Sequence, residues 1–206
     1  MMNSLSYGWW LDRVYVFNDA DHLVMGDRSE GENRARMTSG AITGLYMLGD
    51  NLSTEGNYIG SSISQEKTKQ FATNPYVNEI AKIKKSFRPA YGHIQSSVSG
   101  AVDLFTCETS THYYVAYFNY GGSPKTGYLD LDNLGCDSQN ILEGKECWTK
   151  VAVNIEDGRM RYSLPAGDAR LYMFEKEHPS IKIKLEVQPW DQFWTKLKTQ
   201  IAAGDA

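Results

Sequence analysis

The chain changes its grammar once, near Arg88-Pro89-Ala90, and that switch limits the folds open to it. Before it, helical and extended segments alternate; after it, short strands and turn residues follow one another. Alternating βα grammar implies a parallel sheet covered by helices. Strands spaced by turns at 8–12 residues imply an antiparallel sandwich. One chain of 206 residues therefore has to hold two kinds of sheet, and the expected fold class is α/β followed by all-β.

In the first part, Leu5 to Trp10 reads as the end of a helix. Arg13-Val14-Tyr15-Val16-Phe17 is an almost continuous β-branched and aromatic run, the pattern of a buried parallel strand. It stops at the polar Asn18-Asp19-Ala20-Asp21-His22. Ser29-Glu30-Gly31-Glu32 has the form of a capping box, in which serine and glutamate side chains answer each other's backbone amides. The helix it starts runs through Arg34, Arg36, Met37 and Ile42. Leu45-Tyr46-Met47-Leu48 reads as a second buried strand, ended by Gly49-Asp50-Asn51. After a polar loop from Ser53 to Ser62, helical pattern extends from about Ser64 to Lys85. Proline lacks an amide and clashes with the preceding turn, so Thr73-Asn74-Pro75 divides that stretch into two helices. Both strands are expected to end in carboxylates at their C-terminal ends, the edge that carries chemistry in parallel α/β folds.

In the second part the expected strands are Val102–Phe105, Tyr113–Tyr120, Thr126–Leu131, Trp148–Ile155, Met160–Leu164 and Ala169–Phe174. Ile181 to Val187 alternates as a strand, and Trp190 to Ala203 has the spacing of a helix. The domain reading is residues 1–90, 91–178 and a tail, 179–206, to which no role attaches.

Composition narrows the function. Up to Ala90 there are ten bases and ten acids, leaving eleven and fifteen beyond and a net charge of −4. That balance argues against nucleic-acid binding, which needs clustered cations. No apolar run approaches the ~20 residues of a membrane span, and nothing near Met1 has the layout of a secretory signal. Cys107, Cys136 and Cys147 are spaced by 29 and 11 residues, which supports neither a zinc site nor a disulfide framework; they read as small apolar fillers. Nucleotide-binding glycine loops, zinc-protease helices and the nucleophile elbow are all missing. His93, His112 and His178 are scattered and read as surface or core residues.

One constellation remains, Asn18-Asp19-Ala20-Asp21-His22 with Asp50. Ionised carboxylates on neighbouring strand ends can accept several charge-assisted hydrogen bonds from sugar hydroxyls. Asp-x-Asp can also hold calcium, although the rest of an EF-type loop is missing. Equally, Asp and Asn end strands and cap turns with no further role. The residues alone leave all three open.

The run Tyr15-Val16-Phe17-Asn18-Asp19-Ala20-Asp21-His22-Leu23-Val24 resembles the Trp-Asn-Asp-Pro-Asp-Met-Leu segment of α-galactosidases and their relatives in glycoside hydrolase clan D. Ile42 to Leu52 is similar to that family's last barrel strand with its Asp-containing turn. Tyr162 to Tyr172 is similar to the closing strands of its C-terminal domain. The resemblance runs in order from Leu5 to Glu175. It implies the last two βα units of a (β/α)8 barrel followed by a β-sandwich, and a retaining reaction on α-linked sugars that uses two carboxylates. It also implies a sugar-pocket role for Asp21 and its neighbour His22, with Asp19 and Asp50 as further substrate-binding residues. Two departures stand out: Ala20 replaces the family's proline and His22 its methionine, which adds a hydrogen-bonding group to an apolar wall.

A full barrel needs ~250 residues, yet only about 85 precede the sandwich. In the family the nucleophile and the acid/base sit on earlier strands. The chain is therefore expected to be a C-terminal piece with no catalytic residue of its own, no metal site and no cofactor. Its expected partner is a carbohydrate, with neither nucleic acid nor membrane, and self-association through the exposed barrel edge. The competing expectation is a non-catalytic carbohydrate-binding sandwich.

Overall fold

The computed structural model describes residues 2–15, 18–19, 21–26, 28–45, 47–90 and 100–177, together with Trp194, Lys198 and Thr199. The first part contains α1 (Met2–Gly8), β1 (His22–Leu23), α2 (Glu30–Thr43), β2 (Met47–Leu48), α3 (Ser62–Ala72) and α4 (Pro75–Lys82). β1 and β2 pair in parallel, His22 opposite Met47 and Leu23 opposite Leu48.

Local chemistry sets the helix boundaries as the sequence predicts. Ser29 accepts from the Glu32 amide while Glu32 accepts from the Ser29 amide, a complete capping box. Gly44 closes α2 at φ 85, a left-handed position that glycine takes without a Cβ clash. Pro75 opens α4 at its first turn, and the Asn74 side chain caps the Tyr76 and Val77 amides.

Of the strand expected at 13–17, the described residues 13–15 are not extended. Asp12 to Tyr15 form turns, with the Val14 and Tyr15 amides both bonded to the Leu11 carbonyl. Arg13 sits at φ 66, which no extended strand can contain. Val14 and Tyr15 face solvent, and Val16 and Phe17 lie outside the described residues. The pairing strand starts instead at His22. β-branched residues favour a pleated, packed surface only where a neighbour supplies one. Met47 and Leu48 are also exposed rather than buried, because among the described residues their sheet has two strands only.

The second part is antiparallel. A five-stranded sheet runs in the order β3 (Arg88–Pro89), β4 (Leu104–Glu108), β5 (His112–Phe118), β10 (Ala169–Lys176), β7 (Ile141–Glu146). A three-stranded sheet runs β6 (Lys125–Asp130), β9 (Arg159–Leu164), β8 (Ile155–Glu156). Alternate side chains of β5 go to different layers. Tyr114, Ala116 and Phe118 pack with Ala41, Ile42, Val77 and Ile80 of α2 and α4. Val115 and Tyr117 pack with Leu129, Met160 and Leu164 of the smaller sheet. Helices, large sheet and small sheet thus form three layers, and the expected class, α/β followed by an antiparallel sandwich, holds.

One expected strand moved. Trp148–Ile155 yields only Ile155–Glu156 and an isolated bridge from Ala152 to Lys145. The strand that pairs with β10 is Ile141–Glu146, whose charged residues and Gly144 look unlike a strand. Gly144 is required by its neighbour: a Cβ there would come within 2.7 Å of the Phe174 ring. The tail patterns from Ile181 onward lie outside the described residues, Trp194, Lys198 and Thr199 apart.

α2 and the sandwich are joined by a buried ion pair. Asp168, just before β10, has a fully buried side chain. It accepts from Arg34 Nε at 3.0 Å, Arg34 Nη2 at 2.7 Å and Arg170 Nη1 at 2.9 Å. Gly31, one turn earlier on α2, lets the helix lie on Asp168, since a Cβ would sit 3.2 Å from its Cβ. Burial opposes ionisation of Asp168, but Arg34 and Arg170 outweigh it and hold the carboxyl below its ordinary 3.8. A depressed folded-state pKa contributes stability that is present above the unfolded value and lost as pH falls through the folded one. Asp168→Asn, which strands two guanidinium groups, is expected to cost about 3 kcal/mol at pH 7 in urea unfolding. The gap between variant and parent should narrow below pH 3.8; a gap unchanged with pH would refute this account.

Candidate functional site

The carboxylates singled out in the sequence fall into two separate places. Asp19 and Asp21 precede β1, so they sit at its N-terminal end, whereas Asp50 follows β2 at the C-terminal end. The parallel register pairs His22 with Met47 and Leu23 with Leu48, so Asp21 lies before the ladder and Asp50 beyond it. A single rim with all the acids at strand C-termini is therefore corrected: the ladder begins at His22, nine residues later than the sequence pattern places it.

Asp19, Asp21 and His22 form one exposed cluster. Asp19 accepts from the Asp21 amide at 2.8 Å, the geometry of an Asx turn. That turn carries Asp21 through a left-handed φ of 61. Asp21 in turn accepts from the His22 amide at 2.7 Å, and the same oxygen lies 2.8 Å from His22 Nδ1. The His22 amide, then the imidazole, holds the Asp21 carboxyl below the usual carboxylate range. Both side chains face water, Asp21 being 80% and His22 62% exposed. The imidazole lies across Gly49, where a Cβ would meet the ring at 2.6 Å. The arrangement presents an ionised carboxylate with unused lone pairs beside a ring that can give or accept one hydrogen bond.

Asp50 is committed elsewhere. One oxygen accepts from the Met25 amide at 2.6 Å and from Thr68 Oγ1 at 3.1 Å, the other from the Gly26 amide at 3.3 Å. It ties the turn after β1 to α3. Nothing in the sequence marks Thr68 as its partner, because only packing of α3 against the turn brings them together. Among the described residues no three of His, Cys, Asp and Glu converge as a metal would require. Cys107, Cys136 and Cys147 are buried free thiols.

Neither a family model nor a curated protein matches the sequence. Solved structures do match the fold. α-Galactosidase I from Mortierella vinacea superposes with a TM-score of 0.58 at 17% identity, over 78% of this chain and 39% of that one. The α-galactosidase of Saccharomyces cerevisiae gives 0.59 at 11% identity, over 78% and 47%. A GH27 β-L-arabinopyranosidase from Geobacillus stearothermophilus gives 0.52 at 19% identity, over 77% and 32%. The resemblance seen in the sequence therefore holds at the level of the fold, the antiparallel part having the fold of the C-terminal β-sandwich region of GH27 enzymes. The chain spans between about a third and a half of the length of these structures.

The two places should respond differently to substitution. Asp50→Ala is expected to lower stability by about 1–3 kcal/mol, the cost of stranding buried donors, and to speed hydrogen exchange at Met25 and Gly26. Asp21→Asn, in which asparagine tolerates the left-handed backbone, should leave the unfolding midpoint unchanged. Equal loss of stability in both variants would mean that Asp21 is a structural group.

Proposed function

We propose that this chain forms the C-terminal portion of a retaining glycoside hydrolase acting on α-linked sugars of the α-galactoside kind. Residues 1–90 supply the closing βα units of its barrel, 91–178 its sandwich, and 179–206 a tail. Asp21 and His22 contact sugar hydroxyls, Asp19 holds Asp21 in its left-handed turn, and Asp50 keeps the adjoining turn in place. The observation that carries the reading is fold likeness over about 78% of the chain to two α-galactosidases, each more than twice the length matched.

The geometry favours a binding role over a bond-breaking one. A retaining pair of carboxyls works across one narrow gap, whereas Asp21 precedes β1 and Asp50 follows β2, its oxygens taken by the Met25, Gly26 and Thr68 donors. A general acid at neutral pH needs a raised pKa, whereas that of Asp21 is lowered. An exposed, ionised Asp21 suits hydroxyl recognition, where charge-assisted hydrogen bonds are the stronger kind.

Two outcomes test the proposal. The chain alone is expected to release no nitrophenol from nitrophenyl α-galactoside; measurable hydrolysis abolished by Asp21→Asn would move the catalytic groups onto these residues. The chain should also self-associate, because Trp10, Val14, Tyr15, Met47, Leu48, Tyr58 and Ile59 are exposed in the first part, beside a parallel sheet of two strands. Sedimentation of a monodisperse monomer at high concentration would argue against an incomplete barrel.

A further inference from the structure

A cavity of about 570 Å³ opens at the edge of the five-stranded sheet, and its size falls in the range of small-molecule sites. It continues into a neighbouring hollow through Trp9, Lys85 and Glu108. The edge strand β3 places Arg88 directly opposite Thr106 of β4, so their side chains share one face of the sheet. Both line the cavity.

Neither has a partner. The Arg88 guanidinium makes no hydrogen bond or ion pair with the described residues. The Thr106 side chain, only 5% exposed as a residue, likewise makes no hydrogen bond among them. The positive charge is also uncancelled. Lys85 Nζ donates to the Glu108 carbonyl at 3.0 Å, while the Glu108 carboxylate pairs with Lys176. Cys107 and Cys136 line the same space, and burial pushes both thiols up, Cys136 to about 12. They stay neutral and offer Arg88 no counter-charge. Trp9, 37% exposed, also lines the cavity, an aromatic ring of the type that packs on the apolar face of a pyranose.

We propose that this cavity is a second ligand site, selective for a saccharide that carries a carboxylate, such as a uronic acid. Arg88 takes the carboxylate in the planar, two-pronged manner of guanidinium groups. Lys85 adds attraction, Thr106 and Ser110 hydroxyls meet ring hydroxyls, and Trp9 covers the ring. The site shares no residue with the Asp21 cluster and does not rest on the glycosidase reading.

The test is ligand-observed saturation-transfer NMR on the full chain, which tolerates self-association, with methyl β-glucuronide, methyl β-glucoside, acetate and inorganic sulfate as probes. Saturable binding of the glucuronide is expected, weakened roughly tenfold or more by Arg88→Gln, the loss of one charge-assisted hydrogen-bonded pair. Thr106→Val, which keeps the shape and removes the hydroxyl, should weaken it as well. Unfolding midpoints of both variants establish that they fold. Absent glucuronide binding, equal binding of the neutral glucoside, or unchanged binding in Arg88→Gln would overturn the proposal. Acetate or sulfate binding as tightly as the glucuronide would overturn the saccharide.

Discussion

β5 and β10 have no solvent face, and the remainder of the molecule is arranged around that constraint. A strand buried on both sides must be apolar on both sides, which is why His112 to Phe118 reads as a run of aromatic and aliphatic residues instead of an alternation. The odd-even split of that run decides the layers. Tyr114, Ala116 and Phe118 call for a helical cover, and α2 and α4 provide it. Val115 and Tyr117 call for a second sheet, and β6, β8 and β9 provide that. The parallel part is thereby fastened to the sandwich through a shared core, not through a linker.

Polar contacts then fix where α2 lies on the sheet. Apolar packing tolerates sliding, whereas a bidentate guanidinium and a buried carboxylate tolerate little. Arg34 and Asp168 meet across 134 residues of sequence, and Gly31 admits the close approach. Trp148 adds a second pin through its indole N–H to Thr38 Oγ1 at 3.0 Å, and Asn74 a third, to the Cys147 carbonyl at 3.0 Å.

The Asp21 cluster and the cavity at Arg88 use opposite chemistry. One bears an exposed carboxylate; the other is lined by the cations Arg88 and Lys85. The two arrangements differ in sign, and a single chain of net charge −4 holds both because each is local.

Features written within a few residues were legible in the sequence: the capping box at Ser29, the break at Asn74-Pro75, the β5 core strand and the turn-forming Asp19-Asp21 pair. So was the change of class at Arg88, because hydrophobic period follows from local geometry. Features that need a distant neighbour were not. Arg13-Val14-Tyr15 has the composition of a strand but no strand partner among the described residues, and it turns; Ile141–Glu146 lacks the composition but has β10 beside it, so it pairs. Asp50 looks like a rim carboxylate until Met25, Gly26 and Thr68 occupy its oxygens. The pairing of Arg88 with Thr106 over a cavity has no trace in either segment. Short-range sterics and capping are carried by the chain itself, whereas strand partnership, burial of charge and the shape of empty space depend on which residues the fold sets opposite one another.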